Sequence, residues 1–182
     1  MIIMINGAFG AGKTSAANRL LPFVPNSMIF DPEEIGYMLR RLVNVEDRLV
    51  HERTDDFQDM ELWKVLTVKA AAELKSTYNK HLIVPMTIYK RQNFDYIYDG
   101  FKGIDKDVFH FCLSASAETL HRRLTKRGDE PGGWQFQQVD KCVSALKDPV
   151  FEDHIRTDEL ETEDILRLIL KKIALTGTIP HQ

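Results

Sequence analysis

Ile2, Ile3, Met4 and Ile5 form an unbroken apolar run that stops at Asn6-Gly7. Such a run, with no polar face, marks a strand buried on both sides, as in a parallel sheet. A helical pattern follows over about 13–21, and 27–30 reads as a second strand. Asp31-Pro32-Glu33-Glu34 then reads as a helix start, with proline in the first turn and carboxylates near the positive end of the dipole. Leu62, Val65, Leu66, Lys69, Ala70 and Leu74 keep the three- and four-residue spacing of a long helix. Residues 82–84 form another buried strand with Pro85 at its end, and 108–113 a fourth. Ser116 caps the following helix, whose first turn carries Glu118. Ile165, Leu168, Ile169 and Ile173 share one face of the last helix, capped by Thr162 or a neighbour.

Buried strands alternating with helices predict an α/β fold of three layers, a mostly parallel sheet with helices on both faces. Function in such folds belongs at the carboxyl ends of the strands. No repeat, low-complexity tract or linker divides the chain, so residues 1–182 read as a single domain. The most loop-like interior stretch, 128–133, lies between two helical patterns. With 43% hydrophobic and 28% charged residues the composition is that of an ordinary globular domain. A net charge of -3 offers no global positive field and argues against nucleic acid as the main partner. Cys112 and Cys142 make neither a disulfide framework nor a zinc site and suggest a reducing compartment. No apolar run approaches the roughly 20 residues of a membrane span, and no secretory signal is readable at the N-terminus. The expected location is the cytoplasm.

Gly7-Ala8-Phe9-Gly10-Ala11-Gly12-Lys13-Thr14 matches G-x-x-x-x-G-K-[ST] and lies between the first strand and the first helix. Its glycines let successive N–H groups turn inward around a phosphate, and the helix start adds its dipole. A chance match in a chain of this length is on the order of 1% at ordinary residue frequencies. The stretch 7–15, ending at Ser15, is therefore a predicted nucleotide-binding loop. Lys13 is placed to reach the β- and γ-phosphates, and Thr14 to ligate magnesium. Asn79-Lys80-His81-Leu82 fails a guanine-reading Asn-Lys-x-Asp at its last position, which disfavours a GTPase. The strand at 82–84 runs into Pro85-Met86-Thr87 without the aspartate of a second magnesium box, which disfavours a mechanical ATPase. A small kinase needs only the loop, an acid near the acceptor hydroxyl, and cations for the moving charge.

Asp31, at the end of the second strand, suits that acid, either accepting a proton or holding magnesium through water. The competing role is a helix N-cap. Glu33 and Glu34 read as first-turn charges. In Leu120-His121-Arg122-Arg123-Leu124-Thr125-Lys126-Arg127, Arg123 and Arg127 share a helix face, where they either clamp phosphates or simply face solvent. Arg40 and Arg41 are candidates for an anionic or sugar substrate, with Arg40 preferred. Trp134, Phe136, Tyr37 and Tyr89 either stack on a substrate ring or fill the core. His154 reads as a turn residue and Cys142 as buried.

Leu-x-x-Arg-Leu-x-x-Arg before a glycine-rich flap resembles the lid of nucleoside monophosphate kinases and related small-molecule kinases. The resemblance implies a small lid around 122–138, with Arg123 near the base and phosphates and Arg127 on the transferring group. More finely, the chain resembles the tunicamycin-resistance protein family of bacterial ATP-binding proteins. Ile5 through Thr14, Asp31-Pro32-Glu33, Leu39-Arg40, Asp56-Phe57-Gln58, Ile83-Val84-Pro85-Met86-Thr87-Ile88 and Phe151-Glu152-Asp153-His154-Ile155 carry it. This resemblance implies ATP and Mg2+ as cofactors and a uridine-containing nucleoside antibiotic, tunicamycin-like, as substrate. By the same analogy Met86, Thr87 and Tyr89 line the acceptor pocket, joining Asp31 and Arg40 as read above in the predicted substrate site. Catalysis would fall to Lys13, Asp31, Arg123 and Arg127, and metal binding to Thr14 and Asp31. Three functions stay open: a kinase phosphorylating the drug, an ATP-dependent protein that sequesters it, and a nucleotide or metabolite kinase. The chain leaves little room beyond 175–177 for an amphipathic membrane-binding segment, so stable membrane insertion is not expected.

Overall fold

Ile2, Ile3, Met4 and Ile5 are all fully buried, as a strand with no polar face requires. They build β1 (Ile2–Gly7), the central strand of a five-stranded sheet. In this computed structural model, which describes residues 1–175, the strand order is β2-β3-β1-β4-β5 and every pairing is parallel. The other strands are β2 (Ser27–Ile29), β3 (His81–Met86), β4 (Val108–Ser114) and β5 (His154–Arg156). The helices are α1 (Lys13–Leu20), α2 (Pro32–Leu42), α3 (Glu61–Tyr78), α4 (Arg91–Ile104), α5 (Ala117–Arg127), α6 (Trp134–Ala145) and α7 (Thr162–Ala174). They cover the sheet in the three-layer α/β arrangement, with α1 against α7, α2 and α4 against α3, and α5 against α6.

Several expectations need adjustment. Pro85 lies inside β3, opposite Ile5, rather than at its end. The Leu82 N–H bonds the Met1 carbonyl on the β1 side, so by alternation the missing N–H of Pro85 faces the β2 side. There β2 has already ended at Ile29, and no ladder bond is lost. His154 is a strand residue of β5, its Nε2 2.7 Å from the Leu146 carbonyl, and not a turn residue. The buried face of α3 is Trp63, Thr67 and Ala71, whereas Leu62 is 50% exposed. On α7, Leu166 is buried in place of Leu168. A neighbour of Thr162 caps α7 as expected: it is Glu161, whose N–H is accepted by the Asp164 carboxylate at 3.2 Å. Ser116 caps α5 as expected, accepting from the Thr119 N–H at 3.2 Å.

Among the described residues no helix is long and apolar enough to cross a membrane. The segment beyond 175, on which the expectation about a membrane-binding tail bears, lies outside the described residues.

Candidate functional site

The loop after β1 is held from below by Asn6. Its buried amide accepts the N–H groups of Gly7 at 2.8 Å and Ile88 at 2.9 Å and donates to the Ile88 carbonyl at 2.9 Å. This stitches the carboxyl ends of β1 and β3 into one platform. A Cβ at Gly7 would fall 2.6 Å from the Leu113 carbonyl, so only glycine passes β4 here. Gly10 and Gly12 have φ of +81° and +96°, a region L side chains rarely adopt, and they turn the chain into α1. The Lys13 ammonium is buried and donates to the Ala8 carbonyl at 2.9 Å, 5.6 Å from the Phe9 ring centroid. Burial lowers its pKa, opposed chiefly by Glu33.

Two clefts open around this loop. The first, about 920 Å³, is lined by residues 10–15, by the α5 cations Arg122, Arg123, Lys126 and Arg127, and by the segment from Asp158 to Thr162. The structure thus brings the predicted loop and the predicted arginine pair together. Thr14 and Ser15 are exposed on its floor. Arg123 is fixed by Thr157, donating to its hydroxyl at 3.0 Å and to its carbonyl. Arg127 forks onto Asp129 at 2.6 and 2.8 Å.

The second cleft, about 580 Å³, has aromatic walls of Phe9, Tyr37, Phe57 and Trp134, with Glu33, Arg40 and Arg127 among its polar groups. Phe9 and Trp134 meet edge to face at 5.2 Å. Arg40 donates to the Asp55 carbonyl and lies 5.6 Å from the Phe57 ring. Arg127 lines both clefts.

The two carboxylates at the start of α2 have different surroundings. Asp31 caps the helix, accepting the Glu33 N–H at 2.9 Å on Oδ1. Burial raises its pKa, with that hydrogen bond acting against it. Glu33 is not merely a first-turn charge: it lines the aromatic cleft, and burial raises its carboxyl while Lys13 pulls it down. Its signal in the sequence is the spacing Glu33, Tyr37, Arg40, one face of α2, and all three meet at this cleft.

Other expected site residues lie elsewhere. Met86 is core, and Thr87 is buried with its hydroxyl unpartnered among the described residues. The Tyr89 hydroxyl donates to Asp56, beneath the Lys141 ammonium at 4.7 Å from the ring. None of these three lines either cleft. Ala8 faces a third cavity, beside β4 and β5. Phe136 stacks on His121 at 5.3 Å. Cys142 and Cys112 are buried free thiols, pushed up by burial to about 11 and about 12. Neither is a nucleophile in that state.

A family profile described as an AAA domain matches residues 3–142. The chain belongs to the AAA domain family. Among solved structures, it resembles the tunicamycin resistance protein of Deinococcus radiodurans, at 28% identity over 98% of this chain and 96% of that one, with a TM-score of 0.72. The resemblance to tunicamycin-resistance proteins read from the sequence therefore stands. A sugar kinase from Janibacter sp. HTCC2649 is similar at 17% identity, TM-score 0.65, covering 99% and 98% of the two chains. A shikimate kinase from Bacteroides thetaiotaomicron is similar at 18%, TM-score 0.62, covering 96% and 98%. These two share the chain's fold. No curated protein matches the chain.

Proposed function

We propose that the chain is an ATP-dependent kinase that phosphorylates a hydroxyl of a tunicamycin-like nucleoside compound. The observation that carries this reading is the meeting of a cationic cleft and an aromatic cleft at Arg127, with Lys13 and Glu33 electrostatically coupled between them. A protein that only stored a drug would need the aromatic walls but no such junction.

The loop fits a nucleoside triphosphate. An ammonium has three donors, and among the described residues Lys13 gives one to the Ala8 carbonyl, leaving the others for phosphate oxygens. Thr14 presents an exposed hydroxyl for magnesium, with Asp31 as a further candidate through water. Magnesium would be held chiefly by the phosphates of the nucleotide and by water. Bound ATP supplies the transferable phosphoryl group and magnesium the charge that balances its oxygens.

Tyr37, Phe57 and Trp134 offer faces and edges to a substrate ring, and Arg40 a fork for its polar groups. Glu33, which lines that cleft, would take the proton of a hydroxyl held there, while Asp31 caps α2 and stays a metal candidate. Arg127 and Lys13 place fixed positive charge where negative charge develops, and Arg123 holds the nucleotide side. Residues 122–138 act as the lid.

The deciding experiment incubates the purified protein with magnesium-ATP and tunicamycin and weighs the drug by mass spectrometry. Gain of one phosphoryl group is the expected result. Tight binding of both ligands with the drug unmodified would sink the kinase reading in favour of sequestration.

A further inference from the structure

The third cavity, about 630 Å³, lies where the ends of β4 and β5 meet the start of α5 and the end of α6. Its size falls in the range of small-molecule sites, roughly 300–1,000 Å³. Ala8, Leu113, Val143 and Leu146 give it apolar walls. The charged side chains in its lining are Lys147, Arg156 and Asp158. Arg156 and Asp158 neutralise each other, Nε to Oδ2 at 3.1 Å, and the second Asp158 oxygen accepts the Ser116 N–H at 2.9 Å. His154 is tied to the Leu146 carbonyl. Lys147, also in the lining, is exposed and, among the described residues, has no ion-pair partner. An apolar hollow with one unpaired ammonium in its lining is complementary to an apolar body bearing one negative charge.

We propose that this cavity is a binding site for an amphiphilic monoanion, an aliphatic or aryl carboxylate whose head pairs with Lys147 and whose body fills the space between α6 and the sheet. The site is separate from both clefts, sharing only Asp158 with the cationic one, so it does not depend on the kinase reading.

Decanoate is the probe, and isothermal titration the measurement, with and without a non-hydrolysable ATP analogue. Saturable one-site binding is expected in both conditions. Lys147→Glu should weaken it about tenfold or more by reversing the charge at the head group. Ala117→Trp, which puts an indole into the cavity from its lining, should abolish it, with circular dichroism and analogue binding reporting an intact fold. Decylamine, equal in body and opposite in charge, should bind at least about tenfold more weakly than decanoate. No saturable binding, equal binding of the amine, or unchanged binding in Lys147→Glu would each overturn the proposal. Competition between decanoate and the analogue would do so too, by placing the carboxylate in the nucleotide cleft.

Discussion

Asp31 and Glu33 stand two residues apart on one helix start, yet their oxygens do different things. Asp31 spends Oδ1 on the α2 cap, so Asp31→Asn keeps a capping acceptor and should cost well under the ~1 kcal/mol of a lost cap. Glu33 has no such duty and faces the aromatic cleft. Glu33→Gln should therefore lower phosphoryl transfer by roughly 10²–10⁴-fold, the usual worth of a general base, while leaving binding of an ATP analogue nearly unchanged. Equal transfer in wild type and Glu33→Gln would return the role to Asp31. The pH profile gives an independent check. Burial raises the Glu33 carboxyl, and a base must be deprotonated to act. Activity should thus fall with decreasing pH already above the ordinary Glu range near ~4.3, and this acid limb should move in Glu33→Asp. The turn of the loop around Lys13 was legible in the sequence because it is made of consecutive backbone, and the fold sets the arginine pair beside it in one cleft. Glu33 was obscured because its first-turn position has a sufficient local explanation, and only the fold brings Phe9 and Trp134 against the same helix face.

The same contrast between local and distant information runs through the elements. β1, β3 and β4 announce themselves as apolar runs, while β5 offers a single buried side chain, Ile155, between exposed His154 and Arg156. The apolar residues of α4, Phe94, Ile97 and Phe101, are diluted by polar neighbours and by Gly100. That glycine is required by packing, since a Cβ there would meet Val68 of α3 at 2.6 Å. Gly36 of α2 is held to the same rule: a Cβ would fall 2.5 Å from Cγ of Phe57, the root of the ring and not its free end. Gly36→Ala should cost about 1–3 kcal/mol of overpacking against the ~1 kcal/mol gained in helix propensity. Because Phe57 must swing, KM for the acceptor should rise while nucleotide affinity holds, a split readable in steady-state kinetics. On β4, His110 is buried against Phe94 with Nδ1 3.0 Å from the Glu152 carbonyl. Burial, opposed by that bond and by Asp153 and aided by His154, lowers its pKa to about 4. The unfolded chain, with His near ~6.5, then binds more protons between these values, so stability is full above ~6.5 and falls as pH drops towards 4. Keeping His110 neutral in the fold thus contributes about 3 kcal/mol at neutral pH. His110→Gln keeps a donor for the carbonyl and removes the titration. Urea midpoints measured from pH 7 to pH 4 should decline less steeply in that variant than in wild type.

At the scale of the whole molecule, the parallel sheet sets two clefts side by side along its carboxyl edge, and α5 ends between them. Arg127, the last residue of α5, lines both. It is presented by Gly128, whose φ of +93° ends the helix, and braced by the Asp129 fork. A side chain that touches two ligands makes the binding of each depend on the other, and the dependence is reciprocal. An ATP analogue should accordingly raise the affinity for the acceptor, by the 1–3 kcal/mol common for coupled sites. In Arg127→Ala that enhancement should shrink, while affinity for each ligand alone changes less. Arg123→Ala provides the contrast, because Arg123 lines the cationic cleft only and should lower nucleotide affinity with the coupling retained. Titrating tunicamycin in the presence and absence of the analogue, in wild type and both variants, closes the cycle. Undiminished coupling in Arg127→Ala would mean that the clefts communicate through the loop itself, by way of the Lys13 and Glu33 charges, and that Arg127 serves the nucleotide alone.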